Sequence, residues 1–354
     1  MKILIFKDNM STMRGADHLV SVQASELCAM GHDVTLATCP TGKELSFHLD
    51  GKVKLEFVER QDVREFAKDF DVCIAAGSNE IMDLTLKGKV EPPIPTVTEM
   101  LVAPKGFFKW KRFIRNWRIK RAFDRTDVLT IPCASYEKDV RKFAKHPQVK
   151  TIGHWSDIRE PKAEELDGSK RAKTIVYPAA FNRRKNQLLI IRAFARLAKG
   201  FPDWELHLYG SNGKGYANKC ARLVRKLGLE NRIKFFPFTK DLSVVYAGAS
   251  ILGFPSLLEG IPLTIVEGAK FALPIVVVDD LPGAVDMVED GKTGIIARGN
   301  AKGLATALAT LMNDGAKRVE MGENARKWVQ EFCTKERIMG IWNDLLVSLR
   351  KGLI

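Results

Sequence analysis

The sequence predicts an α/β protein built as two doubly wound, Rossmann-like halves. Short apolar, β-branched runs alternate with helix-period segments along most of the chain, which is the pattern of mostly parallel sheets covered by helices on both faces. Thirteen such strand candidates are present, more than one sheet of this kind usually holds. The 354 residues are also too many for one ordinary core and comfortable for two.

In order, the first half offers strands at 2–6, 33–38, 53–58, 71–77, 95–101, 127–133 and 149–153. The second offers 174–180, 204–210, 232–238, 251–255, 274–279 and 293–297. Helical patterns fill 16–30, 186–199, 215–227, 262–272 and 301–312. The opening run, Ile3 to Phe6, is too short for a signal peptide and has no cleavage-like end, so it reads as a first buried strand of a cytoplasmic protein. The stretch 156–170 is polar and charged, contains Pro161 and Gly168, and lacks a strand pattern, which marks a boundary. The expected domains are therefore 1–155 and 172–334. The final segment, 335–354, carries Ile338, Ile341, Trp342, Leu345, Leu346 and Leu349 near helical spacing and is expected to dock back on the first domain.

Hydrophobic residues make up 45% and charged residues 28%, as in soluble globular chains. No apolar run approaches the ~20 residues of a membrane span. The six cysteines form no C-x-x-C pair and lie beside no histidines at metal-ligand spacing, so free buried thiols are expected. The net charge of +14 implies an anionic partner without choosing among nucleotide, phospholipid, lipid diphosphate and nucleic acid.

Only Gly15 interrupts the loop after the first strand, and the second strand ends at Cys39 where a nicotinamide-binding domain would place a carboxylate. Both marks of a dinucleotide fold are thus missing. Gly210 opens a second glycine-bearing loop, Gly210–Gly215, that lacks the closing Gly-Lys-Ser/Thr of a phosphate-binding P-loop. It reads as a flexible turn or as a donor-site loop.

The most informative segment is PSLLEGIPLTIVEGA, residues 255–269. A buried strand ends in a loop that opens into a helix near Pro262, taken as the first helical position, where a missing N–H costs nothing. The free N–H groups around Leu263 and Thr264, together with the helix dipole, favour a phosphate. Gly260 and Ile261 bring backbone close to that position. Glu259 precedes the helix, and Glu267 lies one turn inside it on the face of Leu263. Two carboxylates therefore bracket a candidate diphosphate site. Alternatively, Glu259 only caps the helix and Glu267 is an ordinary helix glutamate.

Glu259 and Glu267 form an E-x7-E motif within PSLLEGIPLTIVEGAKFALPIVVVDD. This segment resembles the donor site of family 4 retaining glycosyltransferases with the GT-B fold, two Rossmann-like domains facing each other across a cleft. The resemblance continues through residues 185–215, 227–238 and 290–297, and more weakly through 14–38. It implies a metal-independent enzyme that takes a nucleotide-diphosphate sugar and transfers the sugar to a glycan or lipid-linked acceptor, with retention and no cofactor. Glu267 would hold the donor ribose, Glu259 the transferred sugar, Gly260 to Thr264 the diphosphate, and Lys185 the charge of the leaving group. Phe238 would edge the base pocket. The family's second diphosphate arginine is absent from its usual place, where Ala179 and Ala180 stand. Arg184 or Arg183 is the expected substitute, unless both are solvated surface residues. Glu99 stands about where the family carries a histidine, and either faces the sugar or is a surface carboxylate.

No metal-binding pattern is found. Asp69-Phe70-Asp71 matches D-x-D formally but spans a helix end and a strand start, so it reads as structural. Residues 105–125 carry nine basic residues and one acidic, with Phe107, Trp110, Ile114 and Trp117 near helical spacing. Such a helix fits an anionic membrane surface and would place the protein peripherally on the inner face of the cell membrane. Alternatively, its aromatics pack on the first domain. Nucleic acid is not expected, because no nucleic-acid fold signature accompanies the segment. The rivals to a transferase are another GT-B enzyme, such as a phosphorylase or epimerase, and a non-catalytic homologue that binds a nucleotide sugar or a membrane.

Overall fold

The computed structural model describes residues 1–11, 15–42, 45, 49–101, 113–145, 147–211, 215–239, 241–260 and 262–354, with only the backbone of Phe113. Its contacts divide it into two compact units, Met1–Gly153 with Lys335–Ile354, and His154–Thr334. Ile261 and residues 102–112, including Phe107 and Trp110, lie outside the described residues.

The first unit contains β1 (Lys2–Phe6), α1 (Gly15–Ala29), β2 (Asp33–Thr38), β3 (Lys54–Phe57), α2 (Val63–Phe66), β4 (Val72–Ala75), α3 (Ser78–Leu84), β5 (Thr96–Glu99), α4 (Phe113–Phe123), β6 (Val128–Ile131), α5 (Glu137–Val140) and β7 (Gln148–Thr151). Its seven-stranded parallel sheet runs in the order β3-β2-β1-β4-β5-β6-β7. The second contains β8 (Thr174–Pro178), α6 (Gln187–Leu197), β9 (Glu205–Tyr209), α7 (Tyr216–Lys226), β10 (Ile233–Phe236), α8 (Ser243–Gly248), β11 (Ile251–Phe254), α9 (Leu263–Lys270), β12 (Ile275–Val278), α10 (Pro282–Val285), β13 (Gly294–Ala297), α11 (Ala301–Asn313) and α12 (Gly315–Phe332). Its sheet has six parallel strands in the order β10-β9-β8-β11-β12-β13. Twelve of the thirteen expected strand runs contain one of these strands, and the run 149–153 overlaps β7, which starts one residue earlier.

Most inner strands are rich in apolar residues, because helices cover both faces of a parallel sheet; β5, Thr96–Glu99, is buried but largely polar. β4, β8, β11 and β12 are buried throughout. The edge strands β3 and β7 are largely exposed and carry polar residues, which blunts a free edge. In each sheet the strand order reverses once, between β1 and β4 and between β8 and β11. Ligands of doubly wound sheets bind beyond the carboxyl ends of the strands at such a reversal.

The last helix, α13 (Lys335–Arg350), belongs to the first unit. It buries Ile338, Met339, Trp342, Leu345, Leu346 and Leu349, and its Asn343 Oδ1 lies 2.9 Å from His32 Nε2. Residues 156–170 belong to the second unit, where their polar side chains are ordered by backbone carbonyls and opposite charges. Arg159 makes two bonds to Glu165, of 2.6 and 2.7 Å. The Arg171 guanidinium donates to the carbonyls of Phe271 and Ala272 at the end of α9. Lys270 reaches back to the carbonyls of Ser156 and Ile158, each at 3.1 Å.

Asp69 ends a 3-10 turn, and the Asp71 carboxylate accepts the backbone N–H of Lys2 at 2.7 Å. None of the six cysteines is in a disulfide; Cys28 and Cys39 are half-buried rather than buried. Among the described residues no helix is long and apolar enough to cross a membrane.

Candidate functional site

In the second unit, loops at the carboxyl ends of β8 and β11 meet at the strand-order reversal. The β8 loop brings Lys185 and the β11 loop brings Glu259. The Lys185 ammonium lies 2.7 and 2.8 Å from the two oxygens of Glu259. Both side chains remain partly open, 24% and 10% exposed, so the pair is accessible without being a loose surface contact. An ammonium has three N–H donors, which leaves one for a ligand while Glu259 is held.

The backbone sets this meeting. Asn182 Oδ1 accepts the N–H groups of Arg184 at 3.0 Å and Lys185 at 3.2 Å, an Asx turn that curls the β8 loop. The buried Tyr177 hydroxyl donates to the Lys185 carbonyl at 2.9 Å. Asn186 then enters α6 with φ +53°, a left-handed conformation that asparagine tolerates. The two loops are stitched together by Leu257 N–H on the Arg184 carbonyl at 2.7 Å. Fully buried Ser256 donates its hydroxyl to Glu259 Oε1. Arg184 thus holds the loops through its backbone, while the side chains of Arg183 and Arg184 are exposed. Among the described residues neither side chain has an ion pair.

The α9 helix begins at Leu263, with Pro262 just before it as the N-cap rather than at the first helical position. Proline's φ of −82° with ψ of +70° leaves it short of helical geometry, so the first free N–H groups are those of Leu263 and Thr264. Leu263 and Thr264 are half-exposed at this start. Ile265 and Val266, next along the helix, are buried against the core. Gly268 lets α9 lie against β11: a Cβ there would come within 2.7 Å of Leu252 Cδ2. Glu267 projects from α9, where its Oε2 accepts the Tyr246 hydroxyl at 2.7 Å and its Oε1 the Ser156 hydroxyl at 3.4 Å. A carboxylate has about four acceptor positions, so these bonds orient Glu267 and leave capacity. Burial, and then Glu267 itself, raise the Tyr246 phenol well above its ordinary pKa, which keeps it a donor.

Gly210 has a packing reason for being glycine: a Cβ would lie 2.3 Å from the Ala179 carbonyl oxygen, where the β8 and β9 ends run together. Beyond β10, Phe238 is 59% exposed, while Phe236 stacks on Tyr209 with centroids 4.5 Å apart. Gly260 lies half-exposed in the loop between Glu259 and α9. Sequence reasoning missed Ser256, Tyr246, Ser156 and Asn182. Only Asn182 carried a signal, an asparagine three residues before Lys185. Ser256 lies three residues before Glu259 in the same loop, whereas Tyr246 and Ser156 reach Glu267 through folding of distant segments.

The first unit holds a second charged cluster at its own reversal. Lys7, after β1, pairs with Glu80 on α3 and lies 3.3 Å from Asp8. Asp8 accepts from Asn79 at 3.1 Å and Arg60 at 3.2 Å. Burial pushes the Glu80 carboxyl up to about 7 against the pull of Lys7. Glu99, at the end of β5, is 3% exposed, and burial raises its carboxyl to about 8 against the pull of Lys7. It is therefore not a surface carboxylate. Gly15 opens α1 with open space around its Cβ position, so packing does not demand a glycine there.

The chain resembles known proteins in sequence and in fold. Residues 159–328 match the model of the glycosyl transferases group 1. An uncharacterised glycosyltransferase of Haemophilus influenzae is 30% identical over 158 residues, 44% of this chain and 44% of its own. A D-inositol 3-phosphate glycosyltransferase of Corynebacterium kroppenstedtii is 31% identical over 206 residues, 54% of this chain and 44% of its own. The chain thus spans less than half the length of these curated relatives. Among solved structures, Anabaena HepE in complex with UDP and glucose superposes with a TM-score of 0.79 at 18% identity, covering 98% of this chain and all of that one. Sucrose-phosphate synthase from Thermosynechococcus elongatus superposes with a TM-score of 0.82 at 17% identity, covering 99% of each. The chain has the fold of the GT-B glycosyltransferases, with the glycosyl transferases group 1 match lying in its second unit.

Proposed function

We propose that the chain is a glycosyltransferase that moves a sugar from a nucleotide-diphosphate sugar to an acceptor. The observation that carries this reading is the Lys185–Glu259 pair at the strand-order reversal of the second sheet, with Glu267 one turn inside the helix that follows. HepE, of the same fold, has been seen with UDP and with UDP-glucose, which supports a nucleoside diphosphate as the donor's leaving part.

In this scheme the diphosphate meets the N–H groups at the start of α9, where the helix dipole favours an anion. Glu267, oriented by Tyr246 and Ser156, accepts from the ribose hydroxyls. Glu259 accepts from hydroxyls of the transferred sugar. Lys185 shifts part of its bonding from Glu259 to the diphosphate as negative charge builds there, which stabilises the transition state more than the ground state. Arg184 or Arg183 swings from solvent to add a second positive charge. The reaction needs no metal, because a helix terminus and basic side chains supply the charge. The anomeric configuration is retained, and the family is the retaining family 4, as the E-x7-E resemblance implies. The acceptor is a lipid-linked or cell-envelope glycan, met by a protein held peripherally at an anionic membrane surface.

A melting-temperature panel with UDP, GDP, ADP and CMP in the presence of EDTA tests the donor site. A ligand bound only by the folded chain stabilises it by about 2.7 kcal/mol at a hundredfold excess over Kd. One diphosphate is expected to raise the melting temperature, and Glu267→Ala to abolish the rise. A flat response to all four removes the donor reading.

A further inference from the structure

The outward face of α4 combines exposed apolar side chains with basic ones. The helix FIRNWRIKRAF carries Arg115, Arg118, Lys120 and Arg121 and no acidic residue. It packs inward through Ile119, Ala122 and Phe123, each at most 2% exposed, and Phe123 lies against Phe143 with centroids 5.8 Å apart. Arg115 further ties it to α3 through Asn79 Oδ1 at 3.2 Å. With that side fixed, the opposite side is held outward. There stand Ile114, Trp117, Arg118 and Arg121, spaced i, i+3, i+4 and i+7 and so on one face. Ile114 is 66% exposed and Trp117 49%. The Arg121 guanidinium lies 4.9 Å over the Trp117 ring.

We propose that this face seats the protein on an anionic phospholipid bilayer, with Ile114 and Trp117 entering the headgroup boundary and Arg118 and Arg121 on the lipid phosphates. A soluble polyanion would satisfy the arginines but give an exposed isoleucine and indole nothing to enter. A bilayer interface satisfies both, and an amphipathic cationic helix lies in its plane. The Arg121–Trp117 contact suits that depth, since it keeps a cation at the level of an interfacial ring. The inference rests on the membrane-surface part of the reading above and not on the transfer reaction.

Co-sedimentation of the full chain with vesicles tests it, using phosphatidylcholine alone and phosphatidylcholine mixed with phosphatidylglycerol, without nucleotide or acceptor. Binding is expected to the mixed vesicles only. Arg118→Glu with Arg121→Glu is expected to weaken it at least tenfold, on the scale of ~1 kcal/mol per basic residue at such a surface. Ile114→Ser with Trp117→Ser is expected to weaken it about tenfold as well and to make the remainder more salt-sensitive. Circular dichroism and melting temperature establish that the variants fold. Failure of the wild type to bind mixed vesicles overturns the proposal, as does wild-type affinity in both double variants. Binding to soluble polyphosphate that matches vesicle binding and ignores Ile114→Ser with Trp117→Ser also overturns it, in favour of a polyanionic partner. Because no nucleotide enters the assay, a failure here leaves the donor reading standing, and a failure of the nucleotide panel leaves this surface standing.

Discussion

At the scale of the residue, the Lys185–Glu259 pair is one charge unit held by its surroundings. Ser256 and Lys185 both donate to Glu259, and the Asx turn at Asn182 sets where Lys185 starts. Removing one member leaves the other half-buried without its counter-charge. Lys185→Ala and Glu259→Gln are each expected to lower kcat by about 10²–10³, the usual loss of a group that meets developing charge. Nucleotide-induced stabilisation should persist in Glu259→Gln. Unchanged turnover in both variants would favour a non-catalytic homologue.

Glu99 makes a different prediction. Its carboxyl is raised to about 8 when folded, against 4.5 for its unperturbed value. The folded chain therefore holds this proton more tightly than the unfolded chain does. Stability is lost as pH rises between the two values. Glu80, raised to about 7, and Asp83, raised to about 6, act in the same sense. The melting temperature is expected to fall from pH 5 to pH 8, and Glu99→Gln to flatten that slope. A slope unaltered by Glu99→Gln contradicts the assignment.

At the scale of the element, α9 is placed by contacts at both ends. Its N-terminus follows Pro262, and the carbonyls of Phe271 and Ala272, in the turn that closes it, accept from Arg171, which comes from a polar segment about a hundred residues earlier. Burial lowers the Arg171 guanidinium to about 10, a mark of how far it sits from water. Cations at a helix C-terminus satisfy orphan carbonyls and complement the dipole. Arg171→Ala is expected to cost about 2 kcal/mol, the scale of hydrogen bonds to a charged group, measured by urea denaturation. It should also weaken nucleotide binding, because the turn that closes α9, the helix carrying Glu267, loses its tie to the Glu165 carbonyl. A loss of stability with intact nucleotide affinity would confine Arg171 to holding the fold.

At the scale of the whole molecule, the chain's end returns to its beginning. α13 follows the second unit in sequence but buries its apolar stripe in the first. Trp342→Ala is expected to destabilise by about 3–5 kcal/mol, as for other large-to-small core changes. The nucleotide response of the second unit should remain. Loss of that response together with stability would contradict the division into units.

Periodicity alone located every strand and most of the long helices, because most buried parallel strands are apolar on both faces and an amphipathic helix must repeat near 3.6 residues; it missed the longest helix, α12, whose buried face is only Met321, Gly322, Ala325 and Val329. The E-x7-E spacing likewise brought Glu259 and Glu267 forward, since both lie within one loop-and-helix segment. What lay across segments was not legible. Tyr246 and Ser156 meet Glu267 from 21 and 111 positions away, and Lys185 meets Glu259 from 74 away. Glu99 reads the same in sequence whether buried or exposed, and only its neighbours on the sheet raise its pKa. Ile114 and Trp117 have the spacing of a core stripe, yet α4 turns Ile119, Ala122 and Phe123 inward instead. The sequence by itself therefore determined the elements and the local motif, which depend on neighbours along the chain. Tertiary structure alone decided the partners of each charge and which face of each helix meets water, because those depend on strand order and packing between segments far apart.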